Sequence, residues 1–327
     1  MAKIKYGQIG VGHGHATKIE VYRESDEYEV VGLVEPDESL HDRIKSQPAY
    51  RDVPLMTEEQ LLNTPGLEVV GVETRVRNQI ATAQRCVDAG MHVHLEKPGG
   101  ASLPKLDAVL DQATKKHLVV QLGYMYRYNP AILLLREFLS KGWLGDVFEV
   151  HAVMSKQSPA PARLEMAEFT GGTMFELGCH LIDLLHIVLG APEKVIPYPR
   201  HSGNFNDALN DNMLAVFEYP KATATIRSSL IEYEGFARRH LAVCGTHGTL
   251  HIQPLDNPSV RLALTQNRGK YERGYQDVTF PKYSRYVGDA ADLAKIIRNE
   301  KDPDFSYEHD REVLRTVLLA SGMPIDQ

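Results

Sequence analysis

The stretch Ile4-Lys5-Tyr6-Gly7-Gln8-Ile9-Gly10-Val11-Gly12-His13-Gly14-His15 decides the fold of this chain. Its first six residues predict a buried β-strand, and a glycine pair follows the strand directly. In a strand–turn–helix unit that binds a dinucleotide, the first glycine makes the tight turn and the second lets the backbone approach the pyrophosphate. The dinucleotide-binding pattern has a third glycine where this sequence has His15. The residues that follow must therefore show whether the pattern applies.

The segment after the glycines has the order that such a unit requires. A helix is predicted over residues 13–24, and a second apolar strand over 29–34 ends at Glu35. An acid about 20 residues beyond the glycines binds the adenosine ribose in dinucleotide-binding folds. Glu35 and Asp37 also place carboxylates where the 2′-phosphate of NADP would lie, and like charges at contact distance repel. The sequence therefore predicts a dinucleotide site that takes NAD rather than NADP.

Length, charge and cysteine content exclude several classes of protein. The 327 residues suffice for two domains, and the net charge of −7 disfavours a nucleic-acid partner because phosphates repel an acidic surface. The longest apolar stretches contain His, Asp or Glu, so no membrane span is predicted. Cys86, Cys179 and Cys244 are far apart in apolar contexts, which predicts buried free thiols and a soluble, cytoplasmic protein.

Strands and helices alternate through residue 122, whereas strands follow one another in the second half. The alternation predicts a doubly wound parallel sheet of the Rossmann type over residues 1–122, which would bind NAD. Successive strands between 194 and 280 predict a C-terminal α/β domain, residues 123–327, with a large open-faced mixed or antiparallel sheet. This domain would bind the substrate and carry the oligomer contacts. Two late helices, near 284–299 and 308–321, would cover a face of that sheet or return to the first domain.

The segment His94-Leu95-Glu96-Lys97-Pro98-Gly99-Gly100 holds the first candidate for catalysis. A short strand ends here, because Pro98 has no amide proton and its ring disfavours helical geometry at Lys97. The ammonium is thereby fixed at the carboxyl end of a strand, where open α/β sheets bind their ligands. A lone loop lysine is more often a solvated surface residue, but the glycine turn upstream favours a role at the site. The residues predicted to contact the cofactor are Gly10, Gly12, His13, Gly14, His15, Glu35, Thr74, Glu96 and Lys97.

The segment 171–183 holds the second candidate. On a helix predicted over residues 173–189, Glu176, His180 and Asp183 are spaced i, i+4 and i+7 and share one face. Histidine can exchange a proton near neutral pH, and a neighbouring carboxylate can set its tautomer. A helix face with surface ion pairs would explain these residues equally well when they are taken alone. Beside a nucleotide fold, catalysis is the preferred interpretation, and the predicted catalytic residues are Lys97, His180, Glu176 and Asp183.

Two histidine pairs raise the question of a metal site. His13 and His15 flank Gly14, and His92 and His94 lie on the same face of a strand. No acid or cysteine stands near them at the spacing of metal ligands, and hydride transfer to nicotinamide requires no metal. The sequence therefore predicts no bound metal, and His94 is interpreted as a polar residue that fills a strand end.

With these elements in this order, the chain resembles the Gfo/Idh/MocA family of NAD(P)-dependent oxidoreductases over nearly its whole length. The family's Glu-Lys-Pro signature is matched by residues 96–98. Its segment of two glycines, a carboxylate, a glycine, a histidine and an aspartate is matched by residues 171–183. Residues 123–130 are similar to the family's crossover into the second domain, and residues 245–250 are similar to its Gly-Thr turn.

The resemblance implies a substrate between the two domains, with Lys97 and His180 as the acid/base and substrate-binding pair. Two residues depart from the family pattern: His15 replaces the third glycine, and Glu176 replaces an aspartate. We expect an NAD-dependent dehydrogenase that moves a hydride between nicotinamide and a secondary hydroxyl or ketone of a sugar, cyclitol or related polyol. Two alternatives stay open: a redox-neutral enzyme that retains NAD and cleaves a glycosidic bond, and a non-catalytic ligand sensor.

Substrate contacts and assembly are predicted from single residues and strand patterns. Tyr126, Arg127 and Arg163 are candidates for binding the substrate. Strands near 212–219 and 223–231 carry apolar residues on both faces, and few helices remain to cover them. An apolar sheet face left in water would be an exposed patch of unusual size, so a homodimer or homotetramer is expected. No nucleic-acid or membrane partner is expected.

Overall fold

The computed structural model describes residues 2–168 and 170–326 of the chain. Packing divides these residues into two compact units. The first unit contains residues 2–125, 285–311 and 326, and the second contains residues 126–168, 170–284 and 312–325. The chain therefore leaves the first unit after the fifth strand and returns to it near its end.

The first unit is built on a five-stranded sheet in which every pairing is parallel, with the strand order β2-β1-β3-β4-β5. Its strands are β1 Ile4–Ile9, β2 Tyr28–Val34, β3 Leu67–Val72, β4 His92–Leu95 and β5 Val120–Leu122. Branched residues such as Val69, Val70 and Val72 are fully buried, as expected for a parallel sheet that is covered on both faces. The predicted doubly wound Rossmann sheet is confirmed.

Helices connect these strands, as the predicted alternation of strands and helices requires. They are α1 Ile19–Glu24, α2 His41–Ser46, α3 Glu58–Leu62, α4 Val76–Asp88 and α5 Leu103–Lys115. α3 begins in a capping box, in which Thr57 and Gln60 exchange side-chain to backbone hydrogen bonds. The first helix differs from the prediction, because a 3-10 turn over Ala16–Lys18 precedes α1.

The second unit contains an eight-stranded mixed sheet, as predicted. Its strands are β6 Val147–Ser155, β7 Lys194–Arg200, β8 Asn212–Glu218, β9 Thr223–Ser229, β10 His240–Gly245, β11 Gly248–Ile252, β12 Ser259–Leu264 and β13 Gly274–Thr279. The strand order is β13-β12-β11-β10-β6-β9-β8-β7. β6 and β9 pair in parallel, and the other pairs are antiparallel.

One face of this second sheet is packed and the other is open. Helices α6 Pro130–Ser140, α7 Ala160–Met166, α8 Cys179–Leu189 and α9 Gly235–Arg238 belong to the same unit, and α8 packs on β6 and β9. Along β8, Met213, Ala215 and Phe217 are buried, whereas Leu214 and Val216 on the opposite face stay partly accessible. α7 and α9 were not predicted from the sequence.

The helix predicted over residues 173–189 has an irregular first turn. Met174–Gly178 forms a π-helix, and the regular α-helix α8 begins only at Cys179. The prediction of one continuous α-helix is therefore wrong in this turn. A Cβ at Gly178 would lie too close to the sulfur of Met174, so a larger residue there would require this buried side chain to move. Such π turns inside helices are frequent at functional sites.

The last two helices explain the return of the chain to the first unit. They are α10 Val287–Ile297 and α11 Tyr307–Ala320. The hydroxyl of Tyr28 donates to the carbonyl of Ala290 at 2.7 Å, and the amide of Val120 donates to the hydroxyl of Tyr307 at 2.9 Å. Residues 285–311 thus belong to the first unit, which corrects the predicted assignment of 123–327 to a single domain. Among the described residues, no helix is both long and apolar enough to cross a bilayer.

Candidate active site

The glycine turn after β1 is shaped by the neighbouring loop. Gly10 has a φ of +96°, and a Cβ there would lie 2.6 Å from the amide nitrogen of Thr74. A Cβ at Gly12 would lie 2.8 Å from Cγ of Arg75. Around Gly14, by contrast, no atom of the described residues other than its two chain neighbours lies within 4 Å of such a Cβ. Gly10 and Gly12 are therefore sterically required, and the open space beside Gly14 fits the approach of a dinucleotide.

Glu35 lies at the end of β2 and holds the glycine turn. Its carboxylate accepts the amide of Val11 at 2.7 Å and the amide of Asp37 at 2.9 Å. Two guanidinium groups lie nearby, since Arg75 is 3.3 Å from the Asp37 carboxylate and Arg43 donates to the carbonyl of His13 at 3.1 Å. The fold thus places two positive charges near this turn, where the sequence alone predicts only the negative charges of Glu35 and Asp37.

A buried cluster of charges lies at the carboxyl ends of β3 and β4. Glu73 directly follows β3 and Glu96 directly follows β4, and both are fully buried. Nζ of Lys18, itself 2% exposed, lies 2.9 Å from Oε1 of Glu73 and forms an ion pair with Oε2 of Glu96. It also lies 2.9 Å from Nε2 of His94, whose Nδ1 is 3.0 Å from the amide oxygen of Gln121.

The charge states in this cluster follow from burial and from these contacts. Burial raises the pKa of Glu73 to about 8, with Lys18 acting in the opposite direction. Burial alone would also raise the pKa of Glu96, but Lys18 and two imidazoles more than offset it, and the pKa lies well below its ordinary value. The pKa of Lys18 is raised, because the attraction of both carboxylates outweighs its burial. Burial lowers the pKa of His94 to about 3. Lys18 and Glu96 are therefore charged at neutral pH, and His94 is neutral.

Two histidines of the glycine turn face the same carboxylate. Nδ1 of His15 lies 2.9 Å from Oε1 of Glu96, and Nδ1 of His13 lies 3.7 Å from that oxygen and accepts the amide of His15. The rings of His15 and Tyr286 have centroids 5.5 Å apart. Burial, opposed by Glu96, lowers the pKa of both imidazoles.

The same contacts remove one of the reasons for predicting no metal site. The sequence alone predicts no acid at the spacing of metal ligands, yet the fold places Glu96 beside both histidines of the turn. Two groups have donor atoms close enough to hold an ion: His13, His15 and Glu96, and Glu73, His94 and Glu96. In the second group, Nζ of Lys18 lies against all three residues and supplies the positive charge that an ion would bring.

Lys97 is buried at the same edge of the sheet. It follows Glu96 directly and is 1% exposed. Gln79 on α4 fixes this loop, because its amide nitrogen donates to the carbonyl of Lys97 at 3.3 Å and its amide oxygen accepts the N–H of Gly100 at 3.0 Å. Lys97 therefore projects from a loop whose backbone is held on both sides.

In the second unit, His180 lies buried on α8 next to an aromatic ring. The rings of Tyr126 and His180 meet edge to face, with centroids 5.2 Å apart. The hydroxyl of Tyr126 donates to Oδ1 of Asp256 at 2.7 Å, and Arg239 donates to Oδ2 of Asp256 at 3.1 Å. The orientation of the His180 imidazole thus depends on a chain of contacts that ends in a buried ion pair.

Asp183, one turn further along α8, binds Arg127. Nε of Arg127 lies 3.0 and 3.1 Å from the two carboxylate oxygens, and Nη2 lies 2.6 Å from Oδ1. Both side chains are buried. A predicted catalytic residue and a predicted substrate residue therefore form a bidentate ion pair, an arrangement that positions α8.

Arg163 is fully buried in contacts within the second unit. Its guanidinium donates to Asp207 at 2.7 and 2.9 Å and to Asp211 at 2.9 Å, and it stacks on the ring of Phe205 at 3.8 Å. These contacts join α7 to the loop before β8. Glu176 lies in the π turn and is partly buried, and its backbone carbonyl accepts the thiol of Cys179 at 3.4 Å.

Comparison with known proteins now identifies the family. A model described as an oxidoreductase family with an NAD-binding Rossmann fold matches residues 4–124, and a model of the GFO/IDH/MocA C-terminal domain matches residues 132–251. This chain belongs to the GFO/IDH/MocA oxidoreductase family. The predicted family is confirmed, and residues 4–124 form its NAD(P)-binding Rossmann domain.

Individual members of the GFO/IDH/MocA family have low sequence identity to this chain. Trans-1,2-dihydrobenzene-1,2-diol dehydrogenase from Sus scrofa is 27% identical over 236 residues, covering 69% of this chain and 66% of the pig protein. D-xylose 1-dehydrogenase (NADP(+)) 2 from Haloferax volcanii is 24% identical over 302 residues, covering 90% and 89%. An NAD binding oxidoreductase from Klebsiella pneumoniae shares the fold with a TM-score of 0.83 at 17% identity, covering 98% and 96%.

Lys18 and Glu73 were missed in the sequence analysis of this GFO/IDH/MocA protein. Glu73 had a usable signal, since it follows a buried strand directly, as Glu35 and Glu96 do. Lys18 had none, because a lysine near the start of a short helix is ordinarily a surface residue.

Proposed function

We propose that this protein oxidises a secondary hydroxyl of a sugar, cyclitol or related polyol and transfers the hydride to nicotinamide. The observation that carries the proposal is the buried ammonium of Lys97, at the edge of the sheet whose glycine turn leaves open space beside Gly14. The names of two relatives support the substrate class, since one acts on a cyclic diol and the other on D-xylose.

The chemistry divides between the cofactor and the chain. Bound nicotinamide supplies the hydride acceptor. An imidazole nitrogen of His180 accepts the hydroxyl proton, so the alcohol loses one proton and one hydride and becomes a ketone. Nζ of Lys97 donates a hydrogen bond to the same oxygen and stabilises its developing negative charge. Glu176 supplies negative charge that favours protonated His180, and Asp183 acts through Arg127 as a positioning residue.

We propose NAD rather than NADP as the preferred cofactor. The carboxylate of Glu35, anchored by two backbone amides, supports this preference because a 2′-phosphate beside it would be repelled. Arg43 and Arg75 act in the opposite direction, and the Haloferax volcanii relative is named for NADP(+). Titration of the protein with NADH and NADPH decides between them, and comparable dissociation constants would overturn the preference.

We further propose a cytoplasmic homodimer or homotetramer that associates through the open face of the second sheet. The partly accessible side chains of Leu214 and Val216 and the exposed ring of Tyr198 support this face, since a self-complementary apolar patch suits a twofold contact. The free thiols of Cys86, Cys179 and Cys244 are compatible with a reducing compartment. Light scattering at micromolar protein tests the assembly, and a monomeric mass would contradict it.

The proposed reaction is tested by NADH production over a panel of polyols, aldoses and cyclic diols, with the His180→Ala variant as the control. Turnover that this variant lacks supports the dehydrogenase. Bond cleavage without net NADH would favour the redox-neutral alternative. Ligand binding without any turnover would favour the sensor.

A further inference from the structure

The imidazole of His15 occupies a position that the dinucleotide fingerprint gives to glycine. The backbone there does not require glycine, since His15 has φ −96° and ψ 0°, which any residue can adopt. The side chain is the difficulty, because the third glycine serves the close packing of helix on strand. In this protein the ring is directed to the end of β4, where its Nδ1 lies 2.9 Å from Glu96.

The carboxylate that holds this ring is itself held by a residue of the same turn. Lys18 forms an ion pair with the second oxygen of Glu96, and its amide donates to the carbonyl of His15 at 2.9 Å. His15 and Lys18 are thus joined twice, once through the backbone of the 3-10 turn and once through the buried carboxylate.

The contact between His15 and Glu96 matters because the space beside Gly14 is open. Beside Gly14, chain neighbours apart, no atom of the described residues occupies the volume that a Cβ would fill. His15 is one of those chain neighbours, and about a fifth of its side chain is accessible. A ring released from Glu96 could turn toward this open side of the glycine turn, from which a dinucleotide would approach the backbone at Gly12.

We propose that Lys18 is a positioning residue for dinucleotide binding. Through Glu96 it keeps the His15 ring away from the space beside Gly14, and it thereby compensates for the absence of the third glycine. The proposal rests on dinucleotide binding by the Rossmann domain and is independent of the substrate and of the preference between NAD and NADP.

A double-mutant cycle tests this role without any measurement of activity. NADH binding is titrated by fluorescence with the wild-type protein, Lys18→Met, His15→Gly and the double variant. Lys18→Met should weaken NADH binding about tenfold, within the range of coupling between contacting residues. In the His15→Gly background the same substitution should change the dissociation constant by no more than about twofold, because no ring remains to be held.

Glu73→Gln is the matched control. Glu73 contacts Nζ of Lys18 through Oε1. This variant keeps the chain Lys18–Glu96–His15 and should bind NADH within about twofold of the wild-type protein. A tenfold loss in this variant would assign the effect to Glu73 and overturn the proposal.

Lys18→Met leaves Glu96 buried without its ammonium, so circular dichroism must first establish that it folds. Glu96→Gln is the second variant, because it weakens the same contacts while keeping side-chain size. Its loss of NADH affinity should also disappear in the His15→Gly background. Equal losses in both backgrounds, for either variant, would overturn the role of Lys18. A wild-type protein that binds neither NADH nor NADPH would overturn dinucleotide binding itself.

Discussion

Tyr126 presents its ring to the imidazole of His180 at an interplanar angle of 86°. The hydroxyl at the far end of the same ring is bound by Asp256, and Asp256 is bound by Arg239. An aromatic ring fixed at one end leaves its neighbour few orientations. The contacts of Tyr126 therefore restrict the orientations open to the His180 imidazole.

Removing the hydroxyl of Tyr126 should loosen this arrangement. Tyr126→Phe keeps the ring but leaves the buried Asp256 without one donor, which should lower the free energy of unfolding by about 1–3 kcal/mol. We expect a lower Tm and a kcat that falls more than KM changes. Tyr275→Phe is the control, because Tyr275 is 84% exposed and its change should leave Tm unaltered. A normal Tm in Tyr126→Phe would show that the hydrogen bond contributes nothing.

Replacing the proposed proton acceptor should stop the chemistry. His180→Ala and Lys97→Ala should each lower kcat by about 10²–10⁴-fold, the usual contribution of a positioned acid or base. The NADH dissociation constant should change little in His180→Ala, because the glycine turn belongs to the first unit. Steady-state kinetics and NADH titration check both points, and near-normal turnover without His180 would refute its role.

Glu176 is expected to act through its charge and its length. Glu176→Gln keeps the size but removes the charge that favours protonated His180, so kcat should fall more than substrate affinity. Glu176→Asp should also impair turnover, since catalytic geometry tolerates little displacement. Kinetics of both variants test this prediction. Wild-type values in both would mean that the carboxylate plays no part.

Substitution by alanine should have different effects at Gly10 and Gly14, at opposite ends of the glycine turn. Gly14→Ala should leave stability within about 0.5 kcal/mol of the wild-type value, yet weaken NADH binding because its methyl group enters the open space. Gly10→Ala should be destabilising by about 1–3 kcal/mol, since its φ is +96° and the backbone at Thr74 lies too close. Thermal unfolding and NADH titration separate the two effects, and unchanged affinity in Gly14→Ala would place the dinucleotide elsewhere.

Glu73 should make stability depend on pH. Burial raises its pKa to about 8 in the folded protein, against 4.5 ordinarily. Between these values the folded state binds more protons at this site than the unfolded chain, so the free energy of unfolding falls as the pH rises. The Tm of the wild-type protein should therefore fall relative to that of Glu73→Gln from about pH 5 to about pH 8. Parallel Tm profiles would contradict this assignment.

The sequence alone predicts those features of the fold and the site that depend on residues close together in the chain. The glycine turn, the alternation of strands and helices, and the segment around Lys97 each depend on neighbours in the chain, and the structure has the predicted sheets. The pair of Arg127 with Asp183 depends on residues 56 positions apart, and no periodicity reports such a contact.

The buried state of Lys18 is a second case of this kind. Its partners Glu73 and Glu96 are brought to it by two different strands, so its burial follows from the assembled sheet and not from its own segment. The π turn at Met174–Gly178 has a similar origin, because Gly178 alone indicates a close approach without showing that an extra residue is accommodated.

The return of residues 285–311 to the first unit has a consequence for cloning and for recombination between genes. Ala290, Leu293 and Ala294 of α10 belong to the same apolar core as Tyr22 and Tyr28, so a fragment cut at the end of β5 would encode an incomplete core. The nucleotide-binding unit is therefore not a cassette with a single breakpoint. To exchange this unit between relatives, both of its main segments, residues 2–125 and 285–311, must be exchanged together. The second sheet then remains in the chain as an insertion between them.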